Sequence, residues 1–178
     1  MRRISTMMAL VGAMTLTGAT AASAQAFGGS SMDIGPVIGF GGLGGAGMSF
    51  GGRFEKGIKQ LPNMGNGALS FQLSIDYYSF NNRFLGSDFG FKYIPISGTI
   101  NYHINTKSTK WDAFVGAGLG YLNFSSDYDG PGDFSSGGIY FVGRLGGRYY
   151  LANGMALYAD VGAGAASLNV GLMFKLKK

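Results

Sequence analysis

The chain has 178 residues, of which 33 are glycine and 14% aromatic, with 14 Lys+Arg against 9 Asp+Glu and no cysteine. The lack of cysteine excludes disulfides, thiolate metal sites and a lipoprotein anchor. The charge balance is mildly basic, but the lysines form no aromatic-interleaved stripe, so nucleic-acid binding is not expected.

Residues 1–24 read as a secretory signal peptide. Arg2 and Arg3 supply the charged start, Met7 to Leu16 the apolar run, and Ala22-Ser23-Ala24 the small residues before a cut ahead of Gln25. The run is too short to span about 30 Å of hydrocarbon, so it is not a membrane anchor. Its removal leaves one domain's worth of chain with 12 Lys+Arg against 9 Asp+Glu. A short N-terminal segment, 25–32, precedes a single domain over 33–178.

Eight strand-like segments follow. The first, about Asp33 to Phe40, puts Ile34, Pro36, Ile38 and Phe40 on one face. The second, about Ala46 to Lys56, alternates Met48, Phe50 and Phe54 with Ser49, Arg53 and Glu55. The third is the cleanest: Leu69, Phe71, Leu73, Ile75 and Tyr77 against Ser70, Gln72, Ser74, Asp76 and Tyr78. The fourth carries its apolar residues on odd positions at Phe89, Phe91 and Tyr93 and on even ones from Ile94 to Ile104. That switch predicts a β-bulge beside Pro95, where a ladder donor is missing anyway.

The fifth sets Trp111, Ala113, Val115, Ala117, Leu119 and Tyr121 against Gly116, Gly118 and Gly120. The sixth and seventh, Ile139 to Val161, form a hairpin about Ala152-Asn153-Gly154, with Arg144, Arg148 and Asp160 opposite an apolar face. The eighth alternates Leu168, Val170, Leu172, Phe174 and Leu176 with Asn169 and Lys175. An even number of strands near ten residues each, without helical periodicity after the signal, points to an all-β, eight-stranded antiparallel up-and-down transmembrane β-barrel. A soluble lipocalin-like barrel is the rival, with the same apolar faces turned inward. The predicted tips Asn81 to Ser87 and Ser125 to Ser136 are polar and longer, as outer loops are; Gly41 to Gly45 is a short one, and Gly57 to Asn66 is an unusually long inner turn.

The segment AFVGAGLGY at Ala113–Tyr121 resembles the glycine-alternating strand of small outer-membrane β-barrel domains, the broad OmpA-, OmpX- and OmpW-like group, and LNVGLMFKL at Leu168–Leu176 resembles their closing strand. The resemblance is architectural and carries no active site. It implies a location in the outer membrane of a Gram-negative-type bacterium, contact with outer-membrane lipid and lipopolysaccharide, and passage through the barrel-assembly machinery, with the barrel a monomer. Members often end on an aromatic residue that this machinery reads; here the chain continues past Phe174 to Lys175-Leu176-Lys177-Lys178, and Phe174 is the candidate substitute.

Parity assigns the interior. Residues paired across two strands must share a face, so their numbers sum to an even value across the sixth and seventh strands. A two-residue turn at Asn153-Gly154 breaks that rule and a three-residue loop restores it, with Gly154 free to take the left-handed conformation. Arg144 then lies opposite or diagonal to Asp160, predicting an ion pair within the barrel. The same rule sends Arg53, Glu55, Asp76, Asp112 and Arg148 inward. In so narrow a barrel both signs of charge read as a structural plug rather than a selectivity filter.

His103, the single histidine, faces inward near the periplasmic end. Ser97 on its own strand is about 20 Å away, too far for proton transfer; Ser70 and Ser74 are nearer candidates across strands, unmarked as nucleophiles. It reads as a lumen histidine, and no enzyme activity or cofactor is expected. Asp127 to Asp133 has the acidic spacing of a calcium loop but lacks its full length and terminal glutamate; an acidic outer loop is the simpler reading. Aromatic residues near strand ends form two interface girdles: Phe80, Phe89, Phe91, Tyr121 and Phe124 outside, and Phe54, Tyr102, Trp111, Tyr149 and Phe174 inside. Three functions remain in contention: a structural or surface-interaction barrel, which the charged lumen favours; a narrow channel for small or hydrophobic solutes, which the small residues Gly116, Gly118 and Gly120 keep open; and a lipid-modifying enzyme, which lacks a recognisable catalytic set.

Overall fold

The computed structural model describes residues 26–42, 47–84, 87–126, 136–151 and 154–176; side chains are described outside 80–91 and 124–136. The strands are β1 Met32–Phe40, β2 Met48–Leu61, β3 Gly67–Phe84, β4 Ser87–Ile104, β5 Trp111–Ser126, β6 Ser136–Tyr150, β7 Met155–Ala163 and β8 Leu168–Lys175. They close into one barrel in sequence order, every neighbour antiparallel, with β1 pairing β8 to seal it. Closure leaves no strand edge with unpaired backbone groups, which is what a strand needs in a medium without water.

Alternation explains why these residues form this wall. Along β3 the even positions Gln72, Ser74, Asp76 and Tyr78 are buried, and Phe71, Leu73 and Ile75 are exposed. β6 and β7 repeat the pattern, with Phe141, Leu145, Leu157 and Val161 outside and Arg144, Arg148, Tyr158 and Asp160 inside. The polar set is therefore the core and the apolar set the surface, the reverse of a water-soluble barrel. A lipocalin-like arrangement is thereby set aside.

The β6–β7 turn has the three-residue form. Tyr150 pairs with Ala156, the Leu151 N–H donates to the Met155 carbonyl at 2.7 Å, and Gly154 has φ +75°. Glycine accepts that left-handed backbone without the Cβ clash other residues meet.

Three expectations need correction. No register shift occurs at Pro95: β3–β4 pairing is in the same register at Ile75–Ile96 and Tyr78–Tyr93, and β4–β5 pairing runs straight through Pro95–Leu122. Instead Tyr93 packs in the interior with Tyr78 and Tyr140, and Pro95 is itself buried. The change of apolar parity marks an aromatic layer inside the mouth, not an extra residue. The register shift lies in β2, between Gly57 and Lys59. Beyond it β2 and β3 stay paired as far as Leu61–Gly67, so the inner turn is short rather than running from Gly57. Likewise β3 and β4 continue to Phe84–Ser87, making most of the expected loop Asn81 to Ser87 a ladder. The expected signal peptide, 1–24, and the expected acidic loop Asp127–Asp133 lie outside the described residues.

Candidate functional site

The interior holds two polar clusters stacked along the axis. At the inner end, β6 brings Arg148 to Asp33 of β1 at 3.2 Å, to Glu55 of β2, and to Asp112 of β5 at 3.9 Å. The Tyr150 hydroxyl donates to Asp33 Oδ2 at 2.6 Å. Glu55 also accepts from Asn101 Nδ2 at 2.9 Å and from the Ser70 hydroxyl. All of these side chains are buried.

The upper cluster is built the same way. Arg53 of β2 pairs with Asp76 of β3 at 2.9 Å and donates to Asn169 Oδ1 of β8 at 3.0 Å. Arg144 of β6 pairs with Asp160 of β7 at 3.2 Å and donates to the Ala166 carbonyl at 2.7 Å. The register places Arg144 opposite Gly162 and Asp160 opposite Gly146, so the pair is diagonal. Asn169 Nδ2 donates to Asp160 at 2.8 Å, as does the Tyr158 hydroxyl. Thus all seven charged residues assigned inward by parity, Arg53, Glu55, Asp76, Asp112, Arg144, Arg148 and Asp160, are inside and in contact with an opposite charge or a hydrogen-bond donor.

The network has members that sequence reasoning missed. Asp33 follows the parity of its strand and was readable there, since Ile34 and Ile38 face outward. Asn101, Gln72, Ser70, Asn169, Tyr150 and Tyr158 were readable as inward but not as partners. Three arginines face five carboxylates, a formal excess of two negative charges with His103 left out, and these hydroxyl and amide donors supply the remaining hydrogen bonds.

Among the described residues, segments outside the strands pack into both ends. At the inner end Ala26 and Phe27 are buried, and the Phe27 ring stacks on His103 at 4.0 Å with the Arg148 guanidinium 4.8 Å from its centroid. The segment is fastened by Lys175 Nζ to the Ala26 carbonyl at 3.0 Å and by the Gly57 N–H to the Ser31 carbonyl at 2.8 Å. Nothing periodic announces Phe27. At the outer end the β7–β8 connection tucks Ala165 and Ala166 against Tyr78, Tyr93 and Tyr140. Beside the upper cluster, the cavity lined by Arg53, Gln72, Asp76, Ser97, Arg144 and Ala165 offers about 10 Å³, roughly the space of one water.

His103 stands between Asp112, 2.9 Å from Nδ1, and Glu55, 2.7 Å from Nε2, with Ser70 Oγ 2.9 Å from Nε2. Serine, histidine and aspartate thus line up at the distances of a nucleophile relay. Ser70 donates to Glu55, however, both residues are fully buried, and Phe27 covers the ring. No substrate carbonyl can reach that oxygen, so Glu55, Ser70, His103 and Asp112 form a polar tie across the four strands β2 to β5.

On the outside, Trp111 and Tyr121 share the outward face of β5, ten residues apart and 59% and 54% exposed. At about 3.3 Å per residue and a tilt near 40° they stand about 25 Å apart in height, the thickness of a barrel's apolar band. Phe54, Tyr102, Tyr149 and Phe174 are half-buried on the same outer surface at the inner edge, with the Tyr149 ring 4.8 Å from Trp111. Phe80, Phe89, Phe91 and Phe124 lie outside the described side chains.

The chain resembles the outer-membrane protein OprG from Pseudomonas aeruginosa, with a TM-score of 0.58 over 88% of this chain and all of that one at 12% identity. The fold is that of the small outer-membrane barrels. The N-terminal β-barrel domain of Pseudomonas aeruginosa OprF gives a TM-score of 0.51 over 84% of this chain and all of that domain, at 16% identity. At such identities the likeness is one of fold. No family model matches, and no curated protein matches. The fold is consistent with the apolar exterior and the polar interior seen in this chain.

Proposed function

We propose that the chain is an exported barrel in the outer membrane of a Gram-negative-type bacterium, with a lumen filled by its own side chains and a structural or surface-interaction role in the envelope. It acts without catalysis and without a cofactor. The observation that carries this reading is the continuity of the interior network: two charge clusters span the axis, an aromatic side chain closes one end and a folded connection the other. A solute crossing it would have to break several buried ion pairs, each costly to leave uncompensated.

The runner-up, a narrow channel, draws on the inward glycines of β5. The space beside two of them is occupied, however: a side chain added at Gly116 would meet Asn101, and one at Gly120 the Tyr140 ring. Planar-bilayer recording separates the two. A filled lumen gives no steady openings under applied voltage, whereas reproducible single-channel steps would overturn it in favour of the channel. Lipid A masses from expressing cells are expected to match those of control cells, and a new species would reinstate the enzyme.

A further inference from the structure

Among the described residues no acidic side chain is exposed at the inner end of the wall. Every acidic side chain among the described residues, Asp33, Glu55, Asp76, Asp112 and Asp160, is buried inside. Of the other acids of the chain, Asp88 lies near the start of β4 at the outer end, and Asp127, Asp129 and Asp133 belong to the sequence between β5 and β6. At the inner end Lys56, Lys59, Lys107 and Lys110 are exposed. Among the described residues their ammonium groups have no hydrogen-bond or ion-pair partner.

All four lie at the inner end of the barrel, two on β2 and two at the β4–β5 turn. Lys56 lies two residues beyond Phe54 on the outward face of β2, and Lys59 pairs with Leu69 past the register shift. Lys107 and Lys110 occupy the β4–β5 turn, the latter directly before Trp111. Lys56 and Lys110 thus lie within two residues of the inner-girdle aromatics Phe54 and Trp111, while Lys59 and Lys107 lie farther along the chain at the same end. Flexible four-carbon stems lie along apolar surface while the charged heads reach out to headgroup depth.

We propose that this lysine rim binds the phosphate-bearing headgroups of anionic phospholipids in the leaflet at the barrel's inner end. The inference rests on the membrane-spanning reading above. The rim spreads around the wall from β2 to β5 and borders the apolar band, which suits many separate lipids. A folded acidic protein would instead call for a patch on the end face. Compact ammonium charges suit phosphate, and no competing acid shares the rim.

Trp111 is the single tryptophan, 59% exposed and adjacent to Lys110. It therefore reports the lipids beside the rim. The mature chain is reconstituted in phosphatidylcholine vesicles that contain a small fixed fraction of lipid brominated near the headgroup end of its acyl chain. The brominated lipid is phosphatidylglycerol in one series and phosphatidylcholine in the other. One lysine near an anionic headgroup weights its local concentration by up to about fivefold at low salt. Brominated phosphatidylglycerol should therefore quench Trp111 about two- to fivefold more effectively. That preference should fade as salt shortens the Debye length from about 30 Å at 0.01 M to about 3 Å at 1 M. It should vanish in the combined variant Lys56→Gln, Lys59→Gln, Lys107→Gln and Lys110→Gln.

Equal quenching by the two lipids at low salt overturns the proposal, as does a preference that survives the four substitutions. The salt titration on the unaltered chain decides the matter even if the variant fails to insert. Quenching by neither lipid is a different result: it removes the membrane reading, and the proposal with it.

Discussion

Replacing Arg148 with methionine is the sharpest perturbation of the interior. Methionine approximates the volume of the stem and deletes the charge. In the structure the guanidinium is fully buried, 3.2 Å from Asp33 and 3.9 Å from Asp112, and it also contacts Glu55. At an effective dielectric near 20 the contacts with Asp33 and Asp112 represent about 5 and about 4 kcal/mol of gross attraction. Desolvation of the guanidinium offsets much of this. What remains after the substitution is three carboxylates without their cation, for which the expected loss is about 3–5 kcal/mol. Urea unfolding of the vesicle-inserted barrel, followed through Trp111 emission, reads that loss as a shifted midpoint at constant slope. Adding Glu55→Gln to Arg148→Met should restore about 1–2 kcal/mol, because it removes one uncompensated charge, whereas Glu55→Gln alone should destabilise. A loss below about 1 kcal/mol for Arg148→Met, with no rescue by Glu55→Gln, would refute the idea that this network holds the lumen together.

Three further predictions concern the ends, the lumen and the wall. Phe27→Ala should unseat the N-terminal segment, so the Gly57 amide, which donates to Ser31, exchanges faster with solvent while amides in the middle of β4 keep their protection; unchanged exchange at Gly57 would contradict the plug. Gly120→Val places a side chain where the Tyr140 ring lies, and urea midpoints should show about 1–3 kcal/mol lost to overpacking; a neutral result would mean the lumen has room there. Leu145→Arg, on the lipid side between Val115 and Val161 and 59% exposed, should cost about 2–4 kcal/mol in vesicles. An effect within about 0.5 kcal/mol, as at an ordinary watered surface, would contradict lipid contact there.

Much of the wall was legible because a strand has only two faces. Once Arg144 and Asp160 are known to share one, the turn length follows from parity, and Gly154 at φ +75° bears out the three-residue loop. The same rule assigned seven charged residues to the interior. It failed where the interior stops being polar. Near the mouth, Tyr93 faces inward with Tyr78 and Tyr140, so an apolar residue no longer means an outward one, and the switch at Pro95 imitated a bulge. The real register shift at Gly57/Lys59 had no such signal, since Ile58 and Lys59 are both exposed beside it. Contacts along the lumen were illegible for a different reason. Parity names the face of a residue but not its height, so His103 could not be matched with Ser70, Glu55 and Asp112 before the registers of β2 to β5 were known. Phe27 lies outside every strand, and only its stacking on His103 reveals its role.

The central claim, a closed barrel with its apolar face in lipid, is tested most directly by heat-modifiability. Cells expressing the chain are fractionated, the membranes are extracted with detergent, and boiled and unboiled samples are compared on a gel. A folded barrel in the outer-membrane fraction should migrate differently until boiled, because its closed ladder resists detergent. A protein found in the soluble periplasmic fraction with no boiling-dependent shift would contradict the account, since the exposed belt from Trp111 to Tyr121 would then have no lipid to face.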